Sequence, residues 1–155
     1  MIKLKKILVP TDFSAASEAA LKYGKDFAEN FKAALHVLHV IEDPFVHGWT
    51  SEGYVAALPS FRAEMEKSAR EQLERALTDA ERKALGAELI TKLGNPFVEI
   101  VRYAKSHSID LIVMGTHGRG PVAHMLLGSV AEKVVRKAPC PVLTVRHPEH
   151  EFIMP

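Results

Sequence analysis

The residues best suited to chemistry gather between Gly115 and Ser129, in the stretch GTHGRGPVAHMLLGS, which holds four of the nine glycines. Two residues separate Gly115 from Gly118, and nine separate Gly118 from Gly128-Ser129. Glycine has no Cβ, so backbone N–H groups at such positions can approach a phosphate, and the chain can take positive φ. Gly128-Ser129 stands where a helical pattern opens, and the unpaired N–H groups and positive dipole end of a helix favour an anion. The Ser129 hydroxyl can donate to a phosphate oxygen or cap its own helix. Arg119 is the one fixed positive charge in the stretch and can pair with phosphates. Asp12, after the apolar run Ile7-Leu8-Val9, suits a metal ion, a ribose hydroxyl or a turn.

Other chemistries fit poorly. GxxxxGK[ST] is missing, so the stretch is not a Walker P-loop. Gly118 to Ala123 matches GxGxx(G/A), but a dinucleotide loop runs straight into a helix, and here Pro121 intervenes. No acidic pair precedes Asp12, which argues against a phosphoacceptor receiver site. Of the eight histidines, His36 and His39 are three apart on an expected strand and point to opposite faces. No HExxH or Cys/His spacing suggests a structural transition metal. His117 is expected near the glycine loop's ligand. The single cysteine, Cys140, lies between two prolines beside an apolar run and is expected to be a buried thiol.

Strands and helices must alternate to position these groups. Ile7 to Val9 predicts a buried strand that ends in Pro10-Thr11-Asp12. Ser14 is a candidate N-cap, and Ala16, Ala20, Tyr23, Phe27 and Phe31 predict the buried face of the next helix. Leu35 to Ile41 is the expected second strand. Residues 42–59 show no period and are expected as a long loop. A helical pattern runs from Ser60, and the capping-box spacing of Thr78 and Glu81 predicts a break in it. Ala87 to Leu93 predicts strand three. Asn95-Pro96 supplies a cap and a first helical residue for a helix burying Phe97, Ile100, Val101 and Ala104. Leu111 to Met114 predicts strand four. Ser129 and Glu132 have capping-box spacing, opening a helix with Ala131, Val134, Val135 and Ala138 on its apolar side. Val142 to Val145 predicts strand five.

Continuously apolar strands alternating with helices argue for an α/β domain with a parallel sheet and helices on both faces. In such sheets ligands bind beyond the carboxyl ends of the strands, where strand order reverses. In the order 3-2-1-4-5, strands one and four are neighbours, and Asp12 and Gly115 face one crevice.

The combined pattern, Gly115-x2-Gly118-x9-Gly128-Ser129 with Pro10-Thr11-Asp12-Phe13-Ser14, resembles the universal stress protein family in its ATP-binding branch. The resemblance extends through His39-Val40-Ile41, Asp110 to Gly115, and Pro139-Cys140-Pro141-Val142-Leu143. It implies a Rossmann-like, five-stranded single domain over residues 1–147 with a short tail at 148–155. It also implies ATP bound with a divalent cation, Mg2+ or Mn2+. By that resemblance Pro10, Asp12 and Val40 border adenine and ribose, and Met114, Gly115, His117 and Gly118 line the ribose and phosphate side. Gly128, Ser129 and Val130 hold phosphates, and Asp12 is the one side chain expected to reach the nucleotide's metal. The implied role is a nucleotide-dependent regulatory module in the stress response. Homodimers through strand 142–145 are implied too, and Pro139 and Pro141 suit the start of an edge strand.

Asp12 and His117 are the only evident candidates for a general base, and the P-loop lysine is missing. At most slow ATP hydrolysis is expected. A nucleotide-independent dimeric scaffold is the alternative. The 155 residues suggest one domain able to bury about 70% of its unfolded surface. A net charge of +1 provides no global field for nucleic acid or an anionic membrane. No signal peptide or membrane span is evident in the sequence, so the expected location is the cytoplasm, with an unknown protein partner.

Overall fold

Five parallel strands, β1 (Lys6–Pro10), β2 (Ala34–Ile41), β3 (Glu88–Leu93), β4 (Leu111–Gly115) and β5 (Val142–Val145), form one sheet in the order β3-β2-β1-β4-β5. This is the expected order. The structure is a computed structural model that describes residues 1–42, 58–116 and 127–147. The helices described are α1 (Ala15–Phe31), α2 (Leu58–Ala76), α3 (Asp79–Ala84), α4 (Pro96–Ser106) and α5 (Ser129–Lys137). Register aligns Ile7 with both Leu35 and Leu111, so β1 and β4 end side by side at the reversal point.

Successive strand residues alternate between faces and build two cores. Ile7, Val9, Leu35, Val37 and Val113 meet Ala20, Leu21 and Ala28 of α1 and Leu73 of α2. Leu8, Leu38, Val40, Ile112 and Met114 meet Ile100, Tyr103 and Ala104 of α4 and Ala131 and Val134 of α5. Both faces are covered, which is why the strands are continuously apolar.

Ser14 caps α1 by accepting from the Ser17 N–H, as expected. The buried face of α1 differs from the expected one. It consists of Ala16, Ser17, Ala20, Leu21, Gly24 and Ala28, while Tyr23 is 53% and Phe31 41% exposed. The reason is distance: a Cβ on Gly24 would lie 2.4 Å from Val9 Cγ2, so the line of closest approach to the sheet takes small residues. The aromatic rings are displaced to the margin, where Phe27 and Phe31 stack at 6.2 Å.

The Thr78–Glu81 capping box forms and starts α3 as a separate helix. Glu81 also pairs with Lys25 of α1 at 2.9 Å. Asn95 caps α4 through the Val98 N–H, with Pro96 as the first helical residue. The capping box expected at Ser129 does not form. Gly128 is the N-cap, without a side-chain bond, and Glu132 pairs with Arg136 instead. The Gly128 N–H donates to the Thr116 carbonyl, and this tie starts the helix one residue before the serine could cap it. Val135, expected inside, is 46% exposed because it follows the buried Val134.

Candidate functional site

A cavity of about 1000 Å³ opens at the carboxyl ends of β1, β2 and β4, at the upper end of the range for small-molecule sites. Pro10, Asp12, Val40, Met114, Gly115, Gly128, Ser129 and Val130 all line it. The crossing of the strands thus brings together eight of the residues singled out in the sequence. His117, Gly118 and Arg119 lie outside the described residues.

The turn after β1 is tightly organised. Thr11 Oγ1 accepts the Phe13 N–H at 3.0 Å and lies 3.1 Å from Ser17 Oγ. Ser17 Oγ donates to the Ser14 carbonyl at 2.9 Å. Asp12 Oδ1 accepts the Ser14 N–H at 3.0 Å. The other Asp12 oxygen has no protein partner among the described residues. Phe13 sits at φ 63°, a left-handed conformation that bulky residues rarely adopt. Residues held this way gather at ligand sites, where the surrounding structure over-determines them.

Across the crevice, no side chain among the described residues caps the amino end of α5, and Gly128, Ser129 and Val130 form part of the cavity wall. Its leading N–H groups are therefore available to an anion. The charged side chains on the described wall are Asp12, Glu42 and Glu64, all acidic. A polyphosphate there needs the helix dipole, a cation, or both to offset them. Among the described residues no group of three His, Cys, Asp or Glu side chains could hold a metal ion. A cation at Asp12 would therefore take most of its oxygens from a ligand or from water.

Gly115 and Gly128 do not take the positive φ that a glycine loop suggests. Gly128 has φ −65°, and the positive-φ glycines among the described residues are Gly86 and Gly94. Gly115 serves a different contact, because a Cβ there would lie 2.8 Å from the Ala16 carbonyl carbon.

The sequence reading missed part of the wall. Phe13, His39 and the α2 residues Phe61, Met65 and Gln72 also line the cavity. The position of His39, beside Val40 at a strand end, was a usable signal. The α2 residues carried none, since their place depends on where the helix crosses the sheet.

His36 and His39 do point to opposite faces. His36 is 2% exposed, with Nδ1 2.8 Å from the Tyr103 hydroxyl. His39 Nδ1 lies 2.8 Å from the Thr11 carbonyl oxygen. Cys140 is partly buried, and burial, followed by the nearby Asp110 carboxylate, pushes its thiol up. That environment disfavours a reactive thiolate. Among the described residues no helix is long and apolar enough to cross a membrane.

Comparison with known proteins agrees with this architecture. The chain is 37% identical over 150 residues to Universal stress protein MJ0531 of Methanocaldococcus jannaschii, covering 95% of this chain and 85% of that protein. Protein MJ0577 of the same organism has a solved structure that superposes with a TM-score of 0.80 at 32% identity, over 96% of this chain and 99% of that one. A universal stress protein solved in complex with cAMP superposes with a TM-score of 0.68 at 25% identity, over 94% of this chain and 99% of its own. Residues 3–146 match the sequence profile of the Universal stress protein family, and the chain belongs to that family.

Proposed function

We propose that this protein binds an adenine nucleotide, ATP with Mg2+ or Mn2+, and acts as a nucleotide-dependent regulatory module in the stress response. The observation that carries the reading is that Asp12 and the amino end of α5, whose N-cap Gly128 has no side chain to bond it, border the same cavity. The first suits a cation or a ribose hydroxyl, and the second suits phosphate oxygens. The cAMP complex of a related protein supports the adenine nucleotide class.

In this reading Pro10, Asp12 and Val40 border the base and sugar. Met114, Gly115, His117 and Gly118 line the ribose and phosphate side, and Gly128, Ser129 and Val130 bind phosphates, with Arg119 as a further cation. The acidic wall makes the divalent cation part of the ligand, with Asp12 as its one protein carboxylate. The sequence offers no P-loop lysine, which favours sensing over turnover. The module spans residues 1–147 and works in the cytoplasm as a homodimer. Among the described residues β5 lies at the sheet edge with one side unpaired, which suits pairing with a second copy.

The test is calorimetry with ATP, with and without Mg2+, on the wild type and Asp12→Asn. Binding that requires the cation and weakens about tenfold in Asp12→Asn is expected, the size of one lost charge-assisted contact. No wild-type binding, together with no nucleotide released on denaturing the purified protein, would end this reading. Light scattering with and without ATP then tests whether the nucleotide changes the assembly.

A further inference from the structure

His39 joins the end of β2 to the turn that follows β1. Its Nδ1 lies 2.8 Å from the Thr11 carbonyl oxygen. A carbonyl only accepts, so Nδ1 carries the proton and donates. The imidazole ring also rests on the Phe13 ring, with centroids 4.4 Å apart and planes 35° apart. Phe13 is the residue held at φ 63°. That unfavourable conformation lies between the two bonds that shape the turn, Phe13 N–H to Thr11 Oγ1 and Ser14 N–H to Asp12 Oδ1. The Thr11 N–H is bound as well, by the Leu38 carbonyl at 2.9 Å. Among the described residues, His39 is the side chain that grips this turn by hydrogen bond from outside the β1–α1 segment.

We infer that His39 is a positioning residue for Asp12. By holding the Thr11 carbonyl and bracing the Phe13 ring, it keeps the turn in the form where one Asp12 oxygen is bound to the Ser14 N–H. The other oxygen is then left for the ligand. The ligand's identity rests on the nucleotide reading above; the geometry does not.

Two substitutions separate the roles. His39→Leu removes the donor and the ring. His39→Asn places an amide nitrogen close to where Nδ1 sits and restores the donor. The first measurement is amide hydrogen exchange, which needs no nucleotide. In His39→Leu the Phe13 and Ser14 amides are expected to exchange about tenfold faster, while the core amides of Val9 and Leu35 keep their protection. His39→Asn is expected to recover most of that loss. Unchanged exchange at Phe13 and Ser14, or equal acceleration throughout, overturns the inference. Should His39→Leu fail to fold, His39→Gln serves as the loss variant, because its amide nitrogen matches Nε2 and not Nδ1.

The second measurement is a binding cycle with Mg2+ and ATP. His39→Leu is expected to weaken binding about tenfold in the wild type and to have little effect beside Asp12→Ala. Additive losses overturn the inference. If the wild type binds no nucleotide, the functional reading fails, and the exchange experiment still decides the role of His39.

Discussion

Gly115 and Ala16 meet backbone to backbone: a Cβ built on Gly115 would lie 2.8 Å from the Ala16 carbonyl carbon and 2.9 Å from its oxygen. This contact closes the first turn of α1 onto the last residue of β4. Both belong to segments that border the cavity, so the spacing of its two sides depends on a missing methyl group. Backbone atoms cannot swing aside as a flexible side chain can.

Gly115→Ala is therefore expected to destabilise the fold by about 1–3 kcal/mol, the usual cost of forcing a methyl into a packed site. Gly115→Val is expected to cost more. Urea unfolding measures both, and stability within about 0.5 kcal/mol of the wild type would reject the contact as a constraint. Loss of nucleotide binding in either variant would report on the fold as much as on phosphate contacts. Asp12→Asn is the cleaner probe of the site.

The approach of α1 to β1 makes a second, paired prediction. A Cβ on Gly24 would lie 2.4 Å from Val9 Cγ2. Gly24→Ala alone is expected to cost about 1–3 kcal/mol through overpacking. Val9→Ala alone is expected to cost about 2–3 kcal/mol through the cavity it leaves. Because the added methyl fills part of the removed one's space, Gly24→Ala should cost less than about 0.5 kcal/mol beside Val9→Ala. Additive losses in denaturant unfolding would show that the two sites do not share that space.

His36 predicts a pH dependence. Burial holds its pKa below the ordinary 6.5; the Glu88 carboxylate opposes this, and Lys6 and His107 add to it. As pH falls, the unfolded chain takes up this proton before the folded one. The contribution is therefore fully present above about pH 6.5 and is lost as pH falls from there through the lowered folded pKa. His36→Asn, which does not titrate, should show a shallower loss of stability between about pH 7 and about pH 5. Equal slopes for the two proteins would remove His36 from the account.

Glu81 works in a lower window. The Lys25 ammonium first, then the Thr78 N–H, bring its carboxyl from 4.5 down to about 2. A depressed acid pKa stabilises the fold above the ordinary value and loses that contribution as pH falls toward the folded one. The melting-temperature gap between wild type and Glu81→Gln should be open at neutral pH and close between about pH 4.5 and about pH 2. A gap of constant size would place the effect in helix packing and not in the ion pair and cap.

Much of this protein is legible in one dimension. The apolar runs at Ile7, Leu35, Leu111 and Val142, each followed by a turn or helix signal, specify an alternating parallel sheet. Side-chain periodicity is a local property of the backbone. Asn95-Pro96 and Thr78–Glu81 mark helix starts for the same reason, since a cap acts within four residues. The grouping of Asp12, Gly115 and Gly128 followed once the strand order was assumed.

What the sequence alone determined was therefore the set of elements, their caps and the strand ends at which a ligand site should lie. The tertiary structure decided how closely those elements approach. Only the 2.4 Å and 2.8 Å limits at Gly24 and Gly115 explain why α1 buries alanines and leaves Tyr23 and Phe31 exposed. Only the tie between Gly128 and Thr116 moves the cap of α5 off Ser129, and only the pairing of β1 with β2 sets His39 beneath the Asp12 turn. Propensity and period are short-range, whereas contact distance between elements distant in sequence is a property of the whole packed chain.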